Sequence, residues 1–299
     1  MLDIAIDRAA VERAVAGALG AECELTPLPV KSTWPVFRGE AAGRSPVFVK
    51  VGRREEWERT VRLVAALGDC GFVPKPVAAA PAEGGLVVFV TTWVEGETVP
   101  PERMTDEQAD GFAAACVTLS RSLRRVRDLA PVGATQEPER LYGVVAAYCR
   151  AHPLAGRLLR GLTSIPAERR TYGSRPTAVL HGDFHAGNFG FVGDVFSRVI
   201  DFDKLTLGLA CGDLVNALVE RFSVLGLSAA ARRRLRERTR RILARVPWPP
   251  EELRIACNVL RLAFAARRVE KHPGSAWVAM DVLRRDRRIR EFLACLDGG

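Results

Sequence analysis

Residues 178–204 read AVLHGDFHAGNFGFVGDVFSRVIDFDK, and this stretch decides the fold. His181, Asp183 and Asn188 stand in the pattern H-x-D-x-x-x-x-N, and thirteen residues after Asn188 a short apolar run ends in Asp201-Phe202-Asp203. An aspartate on a loop can accept the proton of an incoming hydroxyl and orient its oxygen toward a phosphorus atom. An asparagine five residues on can turn back to offer a neutral amide oxygen to magnesium, and a second carboxylate on an adjacent strand end adds negative charge to the same ion. The loop is therefore expected to hold Asp183, Asn188 and Asp201 in one cleft, with the flanking strands paired. His185 is expected to cap the loop.

Working outward, the chain before this stretch changes character twice. DRAAVERAVAGALG reads as an amphipathic helix ended by Gly20. ECELTPLPV, PVFRGEA and SPVFVKV then read as an antiparallel meander joined by the turn-prone KSTW and AGRS segments. EEWERTVRLVAALGDCG restores helical spacing, and PKPVAAAP and GLVVFVTTWV bracket a Gly-Gly turn. Beyond Thr98 the pattern is almost entirely helical, with Thr105 as the N-cap of a long helix. The expectation is an α+β, bilobal, protein-kinase-like fold. A β-rich lobe with one main helix spans residues 1–95, a hinge follows near 93–98, and a mostly helical lobe spans 96–299.

A lobe of this kind needs a lysine on a central strand to grip phosphates and a glutamate on the next helix to hold it. Lys50, in VFVKV, is one of five lysines in a chain that otherwise uses arginine. Glu58 is its expected partner, with Glu55 and Glu56 as alternatives. No G-x-G-x-x-G precedes Lys50, so Ser32 and Thr33 are the candidate phosphate donors in the covering turn. The segment 89–94, with Thr92, is the candidate adenine-pairing hinge.

The 299 residues carry a net charge of +9, and 48% of them are apolar. That charge is not spread evenly. Residues 229–299 hold 18 lysines and arginines against 8 acidic residues, so the basicity belongs to the C-terminal helices. Their arginines alternate with apolar residues at helical spacing and lack interleaved aromatics, which argues for a solvated helix face and against specific nucleic-acid binding. No apolar run is long enough to span a membrane, and the chain is expected to be cytoplasmic. Seven scattered cysteines suggest buried free thiols.

The stretch around His181 resembles the aminoglycoside phosphotransferase and choline kinase family of kinase-like phosphotransferases. The family's HGD-x-x-x-x-N is present, ID follows at 200–201, and Asp213 opens DLVNAL twelve residues past Asp201. Gly208 falls where the family has glycine, although Gly208-Leu209-Ala210 replaces its usual Gly-Asp-Pro. The resemblance implies Mg2+-dependent transfer of the γ-phosphate of ATP, or GTP, to a small-molecule hydroxyl. It makes Asp183 the base, makes Asn188 and Asp201 the metal ligands, and gives Asp213 a supporting role together with His181 and Asp203. Gly182 replaces the arginine of the protein-kinase HRD loop, and the twelve-residue path from Asp201 to Asp213 leaves no room for a peptide-seating segment. The acceptor is expected to be an antibiotic of aminoglycoside, nucleoside or peptide type, or a sugar-like alcohol. A metabolic kinase of choline, amino-alcohol or sugar type and a nucleotide-binding pseudokinase are the alternatives. Because the basic helices would line the acceptor site, either an acidic inner wall is hidden there or the acceptor is neutral or anionic.

Overall fold

The computed structural model describes residues 7–29, 34–68, 70–129, 138–159, 178–222, 224, 226–275 and 277–297. Helix α1 (Arg8–Leu19) starts where the Asp7 carboxylate accepts the Ala9 N–H, and it ends at Gly20, whose φ of 66° is the left-handed cap. A five-stranded antiparallel sheet follows, in the order β1-β2-β3-β5-β4. Its strands are β1 (Cys23–Pro27), β2 (Val36–Ala41), β3 (Val47–Arg53), β4 (Pro76–Pro81) and β5 (Leu86–Thr92), and α2 (Arg54–Ala66) lies between β3 and β4. The Gly-Gly turn joins β4 to β5 with both glycines at positive φ.

Alternation along β3 sorts its side chains. Val47, Val49 and Val51 are buried in an apolar cluster with Val11, Val15 and Leu25, whereas Phe48, Lys50 and Gly52 face the other side. Helix α2 serves a different core, because Leu63, Val64 and Leu67 belong to the large apolar cluster built mainly from the C-terminal helices. The sheet is thereby anchored to the helical part through α2. A second suture lies after β5, where Glu97 and Phe191 exchange backbone hydrogen bonds of 2.8 and 3.0 Å.

The helical part contains α3 (Asp106–Leu123), α4 (Pro138–Ala151), α5 (Pro153–Leu158), α6 (Gly212–Phe222), α7 (Ala229–Arg245), α8 (Pro250–Lys271) and α9 (Trp277–Leu296) among the described residues. Thr105 caps α3 in a reciprocal capping box with Gln108. The arginine-rich α7 does more than face solvent. Arg238 and Arg241 pair with Asp106, and Arg241 and Arg245 pair with Asp110, which fastens α7 to α3.

Four short strands interrupt the helices. β6 (Ala178–Leu180) pairs with β9 (Thr206–Gly208), and β7 (Phe189–Val192) pairs with β8 (Val195–Val199). The expected pairing is thus corrected, since the strand before the loop joins β9 and not the strand leading to Asp201. The loop 181–188 is held between two small ribbons. All seven cysteines are free thiols, six of them buried. No helix among the described residues is long and apolar enough to cross a membrane.

Candidate active site

The loop 181–188 is fixed from beneath by two buried groups. The Asp213 carboxylate, in the first turn of α6, accepts the His181 N–H at 2.7 Å and the Gly182 N–H at 3.1 Å. Burial pushes the Asp213 pKa up, against the pull of His181 and of these two N–H donors. Gly182 has a φ of 79°, and a Cβ there would overlap the Lys204 carbonyl oxygen, so only glycine fits.

His181 is fully buried and links the two halves of the site. Its Nε2 lies 2.8 Å from the Ile200 carbonyl, and its Nδ1 accepts the Asp183 N–H at 3.3 Å. That pair of contacts requires the neutral tautomer with the proton on Nε2. Burial lowers the His181 pKa, opposed by the neighbouring Asp213 carboxylate and the Ile200 hydrogen bond. The imidazole therefore ties the backbone of Asp183 to the residue immediately before Asp201.

Asn188 closes the loop. Its Nδ2 donates to the Asp183 carbonyl at 2.9 Å, a bond that does not use Oδ1. His185 caps the turn at 186–188 by accepting the Gly187 N–H at 3.0 Å. Asn216, on α6, donates to the Phe184 carbonyl at 3.0 Å and braces the loop's middle.

Asp201 has a φ of 65°, and it is the one non-glycine residue with positive φ among the described residues. Burial raises its pKa, helped by the Asp203 and Asp183 charges, while Lys50 and Lys204 pull it down. Three carboxylates and two ammonium groups thus share one region. Lys50, whose side chain is 17% exposed, donates to Asp203 Oδ2 at 2.6 Å, and Lys204 donates to Asp183 Oδ2 at 2.6 Å. The Asp183 carboxylate also lies 3.8 Å from His185 Nε2.

The donors suit a magnesium ion held jointly with a triphosphate. Among the described residues no cluster of three His, Cys, Asp or Glu side chains would hold a metal by itself. The Asn188 amide oxygen, which accepts no hydrogen bond among the described residues, and the solvent-open Asp201 carboxylate, whose pKa is raised, are instead a partial set. Magnesium uses such sets, one or two carboxylates completed by water and phosphate oxygens.

Glu58 does not turn inward. It is exposed with Arg62 and Ala65, whereas the inward stripe of α2 runs through Glu56, Thr60, Leu63, Val64 and Leu67. Glu56 Oε2 is buried without a hydrogen-bond partner and sits 2.6 Å from where a Gly52 Cβ would be, on the strand face that carries Lys50. Thr92 is spoken for, since its N–H donates to the Lys75 carbonyl and its hydroxyl oxygen accepts the Lys75 N–H, both at 2.8 Å. Ser32 and Thr33 lie outside the described residues.

On the far side of Asp183 opens a cavity of about 320 Å³. Gly182, Asp183 and His185 form one wall, and α6 and α8 form the other through Asn216, Glu220, Phe264 and Arg267. Asp183 thus belongs both to the lysine and carboxylate cluster and to the lining of this cavity.

The model of the APH phosphotransferase enzyme family matches residues 30–249, and this match spans every residue of the loop and its supports. The chain belongs to this family. It is a phosphotransferase, and solved structures of similar fold agree. Amicoumacin kinase, in complex with AMP-PNP, Ca2+ and its ligand Ami, is 15% identical with a TM-score of 0.62, over 95% of this chain and 93% of its own. A thermostable aminoglycoside phosphotransferase APH(4)-Ia, in a ternary complex with ADP and hygromycin B, is 12% identical with a TM-score of 0.59, over 94% and 98%. A GDP complex of aminoglycoside 2'-phosphotransferase-IIIa is 12% identical with a TM-score of 0.59, over 96% and 94%. Among curated proteins none matches the sequence.

Proposed function

We propose that this phosphotransferase moves the γ-phosphate of ATP or GTP onto the hydroxyl of an antibiotic or a sugar-like alcohol in the cytoplasm. Residues 1–95 form the nucleotide lobe and residues 96–299 the catalytic and acceptor lobe. The observation that carries the reading is the position of Asp183, which lines an acceptor-sized cavity while its carboxylate is paired with Lys204 and acts on Asp201.

Lys50 exchanges Asp203 for the α- and β-phosphates, and Glu56, the inward acid of α2, steadies the ammonium. Val94, just past the committed Thr92, offers its backbone to the base. Asn188 Oδ1 and the Asp201 carboxylate would hold magnesium, which when bound supplies positive charge to the bridging and terminal phosphate oxygens. Asp183 accepts the acceptor's hydroxyl proton as the oxygen bonds to the γ-phosphorus. The bond from that phosphorus to the leaving diphosphate breaks, and its electron pair departs with the nucleoside diphosphate. Lys204 gives up its hold on Asp183 Oδ2 and follows the charge onto the transferring phosphoryl group. His181 and Asp213 touch neither substrate. They fix the loop so that proton acceptor and metal ligands keep their spacing.

A nucleotide-consumption screen over antibiotics, sugars, nucleosides and amino alcohols tests the proposal. The expected result is magnesium-dependent nucleoside diphosphate release that requires one acceptor class, with a product heavier by one phosphoryl group. Nucleotide binding without acceptor-dependent release across the panel would leave a pseudokinase.

A further inference from the structure

We infer that the acceptor carries an anionic group, a carboxylate or a phosphate, which docks on the cationic wall formed by Arg267, Arg268 and Lys271 at the end of α8. The inference rests on the kinase reading and names the acceptor class for that site. All three side chains line the same cavity as Asp183.

The acidic groups of this cavity are largely committed elsewhere. Both Asp213 oxygens accept loop N–H groups, and Asp183 Oδ2 is held by Lys204 at 2.6 Å. Only Glu220 adds a further acidic side chain to the lining. On the cationic side, Arg268 is braced at 3.6 Å by Asp281 and lies over the Phe264 ring at 5.4 Å from its centroid. Among the described residues Arg267 spends only its Nε, on the Ala263 carbonyl at 3.3 Å, and Lys271 forms no ion pair.

Cations in the last turn also balance a helix dipole, but that role needs no cavity. Here the last turn opens onto one, and the wall opposite it carries the proton acceptor. Three of the eight arginines of α7 offer an internal contrast, because Arg238, Arg241 and Arg245 are spent on Asp106 and Asp110. A polycationic acceptor would meet like charge at the α8 wall, whereas an anion there would place its remaining hydroxyls toward Asp183. A volume near 320 Å³ suits a molecule the size of a monosaccharide derivative.

The test separates binding from turnover. Inorganic phosphate, lactate and, as the uncharged control, lactamide are titrated calorimetrically into the full-length protein saturated with magnesium and AMP-PNP, which fills the γ-phosphate position. Phosphate or lactate is expected to bind while lactamide does not, and Arg267→Ala with Lys271→Ala is expected to weaken the anion by about tenfold or more. Arg267→Lys with Lys271→Arg keeps the charge and should keep most of the binding, and thermal unfolding of each variant controls for folding. Failure of both anions to bind, equal binding of lactamide, or anion binding unchanged in the alanine variant overturns the inference. So does a cationic acceptor whose kcat/KM ignores the alanine pair. None of these results touches the kinase reading, which stands or falls on acceptor-dependent release of nucleoside diphosphate.

Discussion

Replacing Asp183 by Asn removes one charge and keeps the shape of the side chain. The backbone duties of this residue survive, since its N–H still reaches His181 Nδ1 and its carbonyl still receives Asn188 Nδ2 at 2.9 Å. The lost ion pair is a weak support. Lys204 is 65% exposed and Asp183 27% exposed, so solvent screening limits the stability change to about 1 kcal/mol or less. The chemical change is much larger. An amide cannot take the hydroxyl proton, and loss of a positioned base costs roughly a thousandfold in kcat, or about 4 kcal/mol of transition-state stabilisation. The assay is steady-state phosphoryl transfer to any acceptor found in the screen, together with a nucleotide titration and a denaturant melt. Retention of more than about a tenth of wild-type kcat would refute Asp183 as the base. A collapse of nucleotide affinity or folding would refute the claim that its role is confined to the chemical step.

Three further outcomes follow from the geometry. Asp201→Ala should raise the KM for the magnesium nucleotide by about tenfold or more as well as lowering kcat, and equal nucleotide affinity with and without the carboxylate would count against its metal role. Gly182→Ala combines a left-handed φ, costing about 1–2 kcal/mol for an L side chain, with overlap on the Lys204 carbonyl. Denaturant unfolding should show a loss of roughly 2–4 kcal/mol along with depressed activity. Burial depresses the folded-state pKa of His181, so the unfolded chain takes up this proton first as pH falls. The associated stability is complete above about pH 6.5 and declines below it by at most about 1.4 kcal/mol per pH unit, and His181→Gln should flatten that part of the stability profile. An unchanged slope in the variant would show that His181 is not the group responsible.

Much of this fold was legible because its local signals agree. Gly20 stops α1, Thr105 caps α3, and the alternation of β3 places Lys50 on the face away from the α1 core. The spacing of His181, Asp183, Asn188 and Asp213 likewise belongs to residues that the fold ties into one loop by hydrogen bonds. What escaped the sequence depended on tertiary packing. Periodicity located α2 but not which of its glutamates is enclosed, because the helix docks on the C-terminal core as well as the sheet: Glu58 is exposed, whereas Glu56 Oε2 is buried. Thr92 looked available until Lys75, just before β4, claimed its polar groups. Strand pairing around the loop could not be read from three- to five-residue apolar runs, which lack a register of their own. The basic surplus was visible as a number, but only the packing separates Arg238, Arg241 and Arg245 of α7, bound to α3, from the three cations of α8 that line the cavity with Asp183. The scarcity of lysine, which marked Lys50, reaches further than that residue, since three of the five lysines, Lys50, Lys204 and Lys271, stand around this cleft.

The most direct measurement is a crystal structure of the full chain with magnesium and AMP-PNP. The account predicts an ion bound by Asn188 Oδ1 and the Asp201 carboxylate at about 2.1 Å, with Lys50 moved from Asp203 to the phosphates and the Asp183 carboxylate facing the γ-phosphorus from the cavity side. An ion bound without either side chain, or a triphosphate lying away from Asp183, would contradict it.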